Sequence, residues 1–321
     1  MRDVFILGAG FSKAVDPSMP LLKELSAKVR VQCGEPLPPP LLELGDNIEL
    51  WMTYLSQSQP WLKEYHNLKN RALFLRMTEI IGEILNHATS EATRGDCPDW
   101  LCSLIQKWDR QQSSIITLNY DTLIERASLK QNIAREHIYP VPFADIRRAM
   151  VVSAGERSSF KLFKLHGSVN WFYSGATSYQ GELLYDSPVT EWGKPIGDIE
   201  LQARRASSDK VPLIVPPTTE KVAYFQHETI RQIWLRASAA LQSADRVFCI
   251  GYSLPTTDLG VRFFLLHGKP NVKVPLFIVN KDPNSVGHYA SLLGASYEID
   301  GKYASTGIET FCAGMDQDVV N

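Results

Sequence analysis

The chain has no apolar run of about 18 residues, the length a helix needs to cross a bilayer, so no membrane span is expected. It also lacks a long basic tract. Its 33 lysines and arginines against 35 aspartates and glutamates leave a formal charge of -2, and direct nucleic-acid binding is not expected. Cysteine is scarce. Cys33, Cys97, Cys102, Cys249 and Cys312 are odd in number and irregular in spacing. They offer neither a disulfide framework nor four good zinc ligands, so no metal is expected, and free thiols point to a reducing cytoplasm. The pattern GxxxxGK[ST] is missing, which argues against a phosphate-loop nucleotide hydrolase. The opening "MRDVFILGAG" has the charged start of a signal peptide but a very short apolar run and no cleavage-like site. It reads as a first strand.

What is present is an ordinary globular composition, 44% hydrophobic and 21% charged over 321 residues. Short apolar runs recur: "VFILGAG", "SSIITLN" and "FKLFKLHG" in the first half, then "VPLIVPP", "DRVFCIGYS" and "VPLFIVN". Between them lie stretches with helical spacing at 19–29, 68–88, 100–108, 121–130, 227–244, 256–267 and 282–293. Asp121 is expected to cap the helix at 121–130, and Thr256 or Thr257 the one at 256–267. Strands without polar alternation, alternating with helices, predict an α/β fold. Its Rossmann-like, mostly parallel sheet would be covered by helices on both faces. Residues 40–110 read as a helical insertion, and 173–210, polar and broken by Gly and Pro, as an irregular excursion.

Most of these strands end on Gly, Asn or His. In open α/β sheets ligands bind outside the carboxyl ends of the strands. Gly8 and Gly10 in "GAGFSKA" suit either a tight structural turn or a close approach to phosphate at the following helix. The dinucleotide fingerprint is incomplete there: Phe11, Ser12 and Lys13 stand where a third glycine is needed, and no acidic residue follows a second strand about 20 residues on. Asn119 and Asp121 in "TLNYD" can satisfy loop backbone and cap a helix, or face a ligand. His166 in "KLHGS" can be a bonded core histidine or a base titrating near neutrality. Ser253 and Asn280 can be turn residues or partners of ribose and phosphate oxygens. Glu220 and His227 lie near a ligand-facing segment without a defined role. Trp100, Trp108 and Trp234 read as packing residues. Taken together, a phosphate-type turn, an amide and an imidazole at three strand ends suit a nucleotide whose glycosidic carbon is attacked.

These motifs, in this order, resemble the sirtuin family. Gly8-Ala9-Gly10-Phe11-Ser12, Thr117-Leu118-Asn119-Tyr120-Asp121, His166-Gly167, Gly251-Tyr252-Ser253 and Val279-Asn280 span most of the chain. The pattern is most similar to the sirtuin-like NAD-cleaving domains of bacterial antiphage defence. The resemblance implies one sirtuin-like domain over 1–321. Asn119 and Asp121 would contact nicotinamide and its ribose, with His166 as catalytic base. Gly8, Ala9, Gly10 and Ser12 would surround the pyrophosphate, and Gly251, Ser253 and Asn280 would bind the adenosine half.

Two departures shape the expected activity. "KAVDPSMPLLKEL" replaces the loop that follows GAG-S in deacylating sirtuins, and the zinc module is missing. Both argue against protein deacylation. The resemblance therefore implies an NAD+ hydrolase releasing nicotinamide and ADP-ribose, cytoplasmic, acting in antiphage defence. NAD+ would be its ligand, with a homo-oligomer or a defence partner protein as further associations. A nucleotide-binding sensor or assembly module with little catalysis is the alternative, followed by a deacylase or ADP-ribosyltransferase.

Overall fold

The computed structural model describes the chain except for residues 35, 147, 149, 154–157, 176–181, 195–209, 219–226 and 316–321. Six parallel strands form the main sheet: β1 (Asp3–Leu7), β2 (Ser114–Thr117), β5 (Lys161–Lys164), β9 (Arg246–Ile250), β10 (Pro275–Val279) and β11 (Glu298–Asp300). Their order is β11-β10-β9-β1-β2-β5. The chain builds outward from β1 through β2 to β5, then returns to the other side of β1 for β9 and continues outward. The direction of winding reverses between β1 and β9, and the crevice at such a switch point is where open α/β sheets hold ligands.

Parallel register sets neighbouring side chains in rows across the sheet. Phe5 pairs with Phe248, and Phe248 with Phe277. Their rings stack at 4.9 Å in both steps. Trp108 closes one end of the row, 5.4 Å from Phe5. Trp108 comes from α6 (Asp99–Gln111), whose apolar face Leu101, Leu104, Ile105 and Trp108 is buried in the main core. Helix α9 (Glu228–Gln242) adds Ile230, Ile233, Ala237 and Leu241 to that core at helical spacing.

The other helices in residues 40–110 pack mainly elsewhere, with only Ala88 and Ala92 of the helix Glu64–Ala92 in the main core. Helices α4 (Ile48–Ser56) and α5 (Glu64–Ala92) join α2 (Leu22–Gln32) in a second apolar core. The short α3 (Pro39–Glu43) contributes Leu41 to it, and Val169 and Ile214 reach it from later in the chain. Residues Ala9–Val15 form helix α1 directly after the glycine turn.

A second, five-stranded sheet goes beyond what the sequence suggests. It holds β3 (Phe143–Asp145), β4 (Met150–Val152), β6 (Gly167–Tyr173), β7 (Tyr185–Asp186) and β8 (Val211–Ile214), in the order β4-β3-β7-β6-β8 with mixed directions. The apolar run at 211–217 thus belongs to this sheet. Several of its buried polar residues pair with one another or with the adjoining helix. Arg135 is ion-paired to Asp186 and Asp145, and Asn170 donates to Asp186 at 2.8 Å.

Helix starts also differ from the sequence reading. Asp121 lies before α7 (Leu123–Lys130), where its Oδ1 accepts the Leu123 amide. Neither Thr256 nor Thr257 caps α10 (Leu259–His267), which starts after Asp258. Thr257 instead hydrogen-bonds Glu49 of α4. The last two helices are α11 (Ser285–Leu293) and α12 (Ile308–Met315). A methyl group added at Gly287 in α11 would meet nothing within 4 Å. Gly287→Ala is expected to stabilise the protein by about 0.5–1 kcal/mol, since the glycine carries extra backbone freedom into a helix. Thermal unfolding of the variant checks this.

Candidate functional site

A cavity of about 490 Å³ opens at the switch point. That lies within the range of small-molecule sites, about 300–1,000 Å³. Every residue given a catalytic or binding role from the sequence lines it. The β1–α1 turn brings Gly8, Ala9, Gly10 and Ser12. Beyond β2 stand Asn119 and Asp121, and beyond β5 stands His166. Gly251 and Ser253 follow β9, and Asn280 follows β10.

The glycines have a structural explanation first. A Cβ on Gly8 would meet Gly251 O and Tyr252 at 2.7 Å, and one on Gly10 would meet Gly251 Cα at 2.8 Å. Gly251 has φ +63°, and a Cβ there would lie 2.3 Å from Phe11 N. The two strand-end turns are therefore in backbone contact. Two amides are committed to this contact as well, Gly8 N donating to Ile250 O and Gly10 N to Gly251 O, while Phe11 N donates to Gly8 O within its own turn. Leu254, between cavity residues Ser253 and Pro255, is held at φ +54°. That left-handed conformation is unfavourable for a bulky side chain, and such strain clusters at functional sites.

Ser12 is an internal bridge. Its Oγ donates to Asp121 Oδ2 at 2.6 Å and accepts from Asn119 Nδ2 at 2.8 Å. Asn119 Nδ2 also donates to Gly8 O at 2.9 Å. With its amino group tied this way, Asn119 turns its carbonyl oxygen into the role of acceptor. Burial pushes the Asp121 carboxyl above its ordinary range, against the opposing pull of the Lys164 ammonium and the Ser12 hydrogen bond. Ser12→Ala would leave Asn119 and Asp121 each short of a buried partner. The expected loss is about 1–2 kcal/mol of stability, read by denaturant unfolding.

His166 sits where the chain leaves the main sheet for the second one. Gly167 has φ +79°, and a Cβ there would lie 2.0 Å from Leu213 O, so only glycine allows the turn. The His166 backbone oxygen accepts from Val215 N at 2.9 Å. Its ring neighbours those of Tyr120 and Trp234, with centroids at 6.1 and 6.4 Å. The indole of Trp234 is anchored on Leu165 O, and the Tyr120 hydroxyl on Val215 O. Trp234 therefore packs against the site, while Trp100 packs edge-on against Phe11.

Sequence reasoning missed Glu49, Leu85 and Tyr120 as lining residues. Glu49 and Leu85 come from α4 and α5, and nothing local marks them. Tyr120 stands between two named polar residues, which was the available signal. His227 does not line the cavity; it packs edge-on against Tyr173, and burial lowers its pKa. Glu220 lies outside the described residues. Among the described residues, no group of three His, Cys, Asp or Glu is placed to hold a metal ion. None of the described helices is long and apolar enough to cross a membrane.

Residues 113–259 match a family model described as a SIR2-like domain. No curated protein matches the chain. Among solved structures, a Sir2 in complex with EX-527, 2'-O-acetyl-ADP-ribose and a deacetylated p53 peptide is 14% identical, with a TM-score of 0.44, covering 100% of this chain and 95% of that one. A Sir2–p53 peptide–NAD+ structure is 16% identical, with a TM-score of 0.43 and coverage of 100% and 94%.

Proposed function

Residues 113–259 match a SIR2-like domain, and on that premise we propose that this cavity binds NAD+ and hydrolyses it to nicotinamide and ADP-ribose. The observation that carries the reading is the convergence of the β1–α1 turn, the Asn119–Asp121 pair and His166 on one cavity. Cleavage breaks the bond between nicotinamide nitrogen and ribose C1′. Nicotinamide leaves with the bonding pair, and positive charge develops on the sugar. In this reading Asn119 Oδ1 and the Asp121 carboxyl act as acceptors that orient the carboxamide, the ribose hydroxyls and water. His166 takes the proton from water, directly or through a ribose hydroxyl, as the oxygen bonds to C1′. Ser253 and Asn280 follow β9 and β10, on the opposite side of β1 from Asn119 and His166, and the adenosine half would lie there.

Glu49 and Leu85, from the helices that follow the first strand, wall the same cavity. The sequence stretch that departs from deacylating sirtuins supplies Met19, Pro20 and Leu21 to it. The replaced loop and the missing zinc module favour water rather than an acyl-peptide as acceptor. The setting we propose is the cytoplasm and bacterial antiphage defence, with self-association or a partner protein as the trigger.

The mutual bonding of Ser12, Asn119 and Asp121 also suits a second reading, a sensor that binds NAD+ without cleaving it. Incubation of the purified protein with NAD+, with and without an acetyl-lysine peptide, separates the cases. Hydrolysis predicts equal amounts of nicotinamide and ADP-ribose, unaffected by peptide. Nicotinamide release that requires the peptide and yields an acetylated ADP-ribose would contradict it. Binding without release would favour the sensor.

A further inference from the structure

Behind the cavity wall lies a charge network that the chemistry above does not invoke. Lys164, on β5 two positions before His166, is 1% exposed. Its ammonium donates to the backbone oxygen of Asp121 at 2.5 Å and to Glu125 Oε1 at 2.9 Å. Glu125, in the first turn of α7, is equally buried, and its Oε1 also accepts from the Tyr139 hydroxyl at 3.0 Å. Glu125 Oε2 is buried with no hydrogen-bond partner among the described residues. A buried ion pair is costly to desolvate, and an apolar pair of similar volume often stabilises a fold as well. General stability is thus a poor explanation for this one. What the pair touches is a better one: it grips the segment that carries Asn119 and Asp121.

We propose that Lys164 and Glu125 are positioning residues for Asp121, clamping the turn after β2 and holding a fixed charge behind the carboxyl that faces the cavity. The proposal rests on the NAD+ reading for its catalytic meaning, though the clamp itself can be tested without ligand. The groups acting on Asp121 are known by element. From α1, Ser12 donates to it; from α7, the Leu123 amide donates and the Glu125 charge favours its protonated form; from β5, the Lys164 charge favours its ionised form. Tyr139 reaches Glu125 from beyond α8 (Arg135–Ile138), and burial keeps its phenol neutral.

Opposite charges on one carboxyl predict opposite effects. Lys164→Met removes the cation, so the Asp121 titration midpoint should move up. Glu125→Gln removes the anion, so the midpoint should move down. Shifts of about one pH unit are expected from charges at this range, and the double variant should fall between the two. The experiment is carboxyl carbon NMR titration of Asp121 in the full ligand-free chain, alongside NAD+ affinity across the same pH range. The acid-side loss of NAD+ binding should follow each midpoint. Lys164→Arg keeps the charge and should restore a near-native midpoint; with Glu125→Gln it carries the test if Lys164→Met does not fold. Midpoints that move in the same direction, or not at all, in the folded variants would overturn the proposal. Opposite shifts without NAD+ binding in the native protein would support the clamp and sink the NAD+ reading, so the two fail separately.

Discussion

His166→Ala is expected to lower NAD+ turnover by about 10²–10⁴-fold, the usual contribution of a placed general base. NAD+ affinity should change by less than about tenfold, because the remaining strand-end contacts stay in place. The geometry behind this is specific. His166 is buried at the junction of two sheets, with Tyr120 and Trp234 as ring neighbours. Both neighbouring side chains are anchored to backbone oxygens, so the imidazole is held before any ligand arrives. A base fixed in advance contributes most to the step in which a proton moves. His166→Asn, which keeps a polar side chain but cannot titrate, should be as inactive as the alanine variant. Steady-state kinetics with binding measured on the same samples checks both. Undiminished turnover in either folded variant would remove His166 from the chemistry.

The second large effect is on folding. Gly251→Ala is expected to cost at least about 3 kcal/mol, a large part of the 5–15 kcal/mol that typically holds a domain. Two causes add. The residue has φ +63°, where an L side chain is strained. Its new Cβ would lie 2.3 Å from Phe11 N and 2.5 Å from Gly10 C, both backbone atoms that cannot turn aside. The β1–α1 turn and the turn after β9 would have to separate, which also opens the cavity. Gly95→Ala is the control, because nothing lies within 4 Å of its added methyl and the surface position should change stability by no more than about 0.5 kcal/mol. Denaturant midpoints decide the matter: equal midpoints for the two variants would show that this turn-to-turn contact is not needed.

The main sheet was legible because its strands are short, apolar on both faces and sharply ended. β1 is buried at all five positions and stops at Gly8; β2 runs into Asn119 and β10 into Asn280. The second sheet was not legible. Strands β3, β4 and β7 have three, three and two residues, too few to show a period. Buried polar groups on and beside them, Asp145 and Asp186 with Arg135 of α8 and Asn170 of β6, look like surface residues until their distant partners are known. The residues named at the strand ends gather on one cavity, as strand ends do by topology. Individual tasks were not legible. The sequence does not show that Ser12 also bridges Asn119 and Asp121, which lie 107 and 109 positions away from it. Gly10 looked like room for a ligand, and the room is filled by Gly251. Glu49 and Lys164 carry no local signal, because what brings them to the site is tertiary packing.

The most direct test of the central claim is turnover of NAD+ by the purified protein in water enriched in heavy oxygen, with products resolved by mass. Hydrolysis at this cavity predicts nicotinamide release together with ADP-ribose that carries the heavy oxygen at C1′, and loss of both products in Asn119→Ala. Nicotinamide released without labelled ADP-ribose would mean that water is not the acceptor. Labelled product undiminished in Asn119→Ala would place the chemistry outside this cavity.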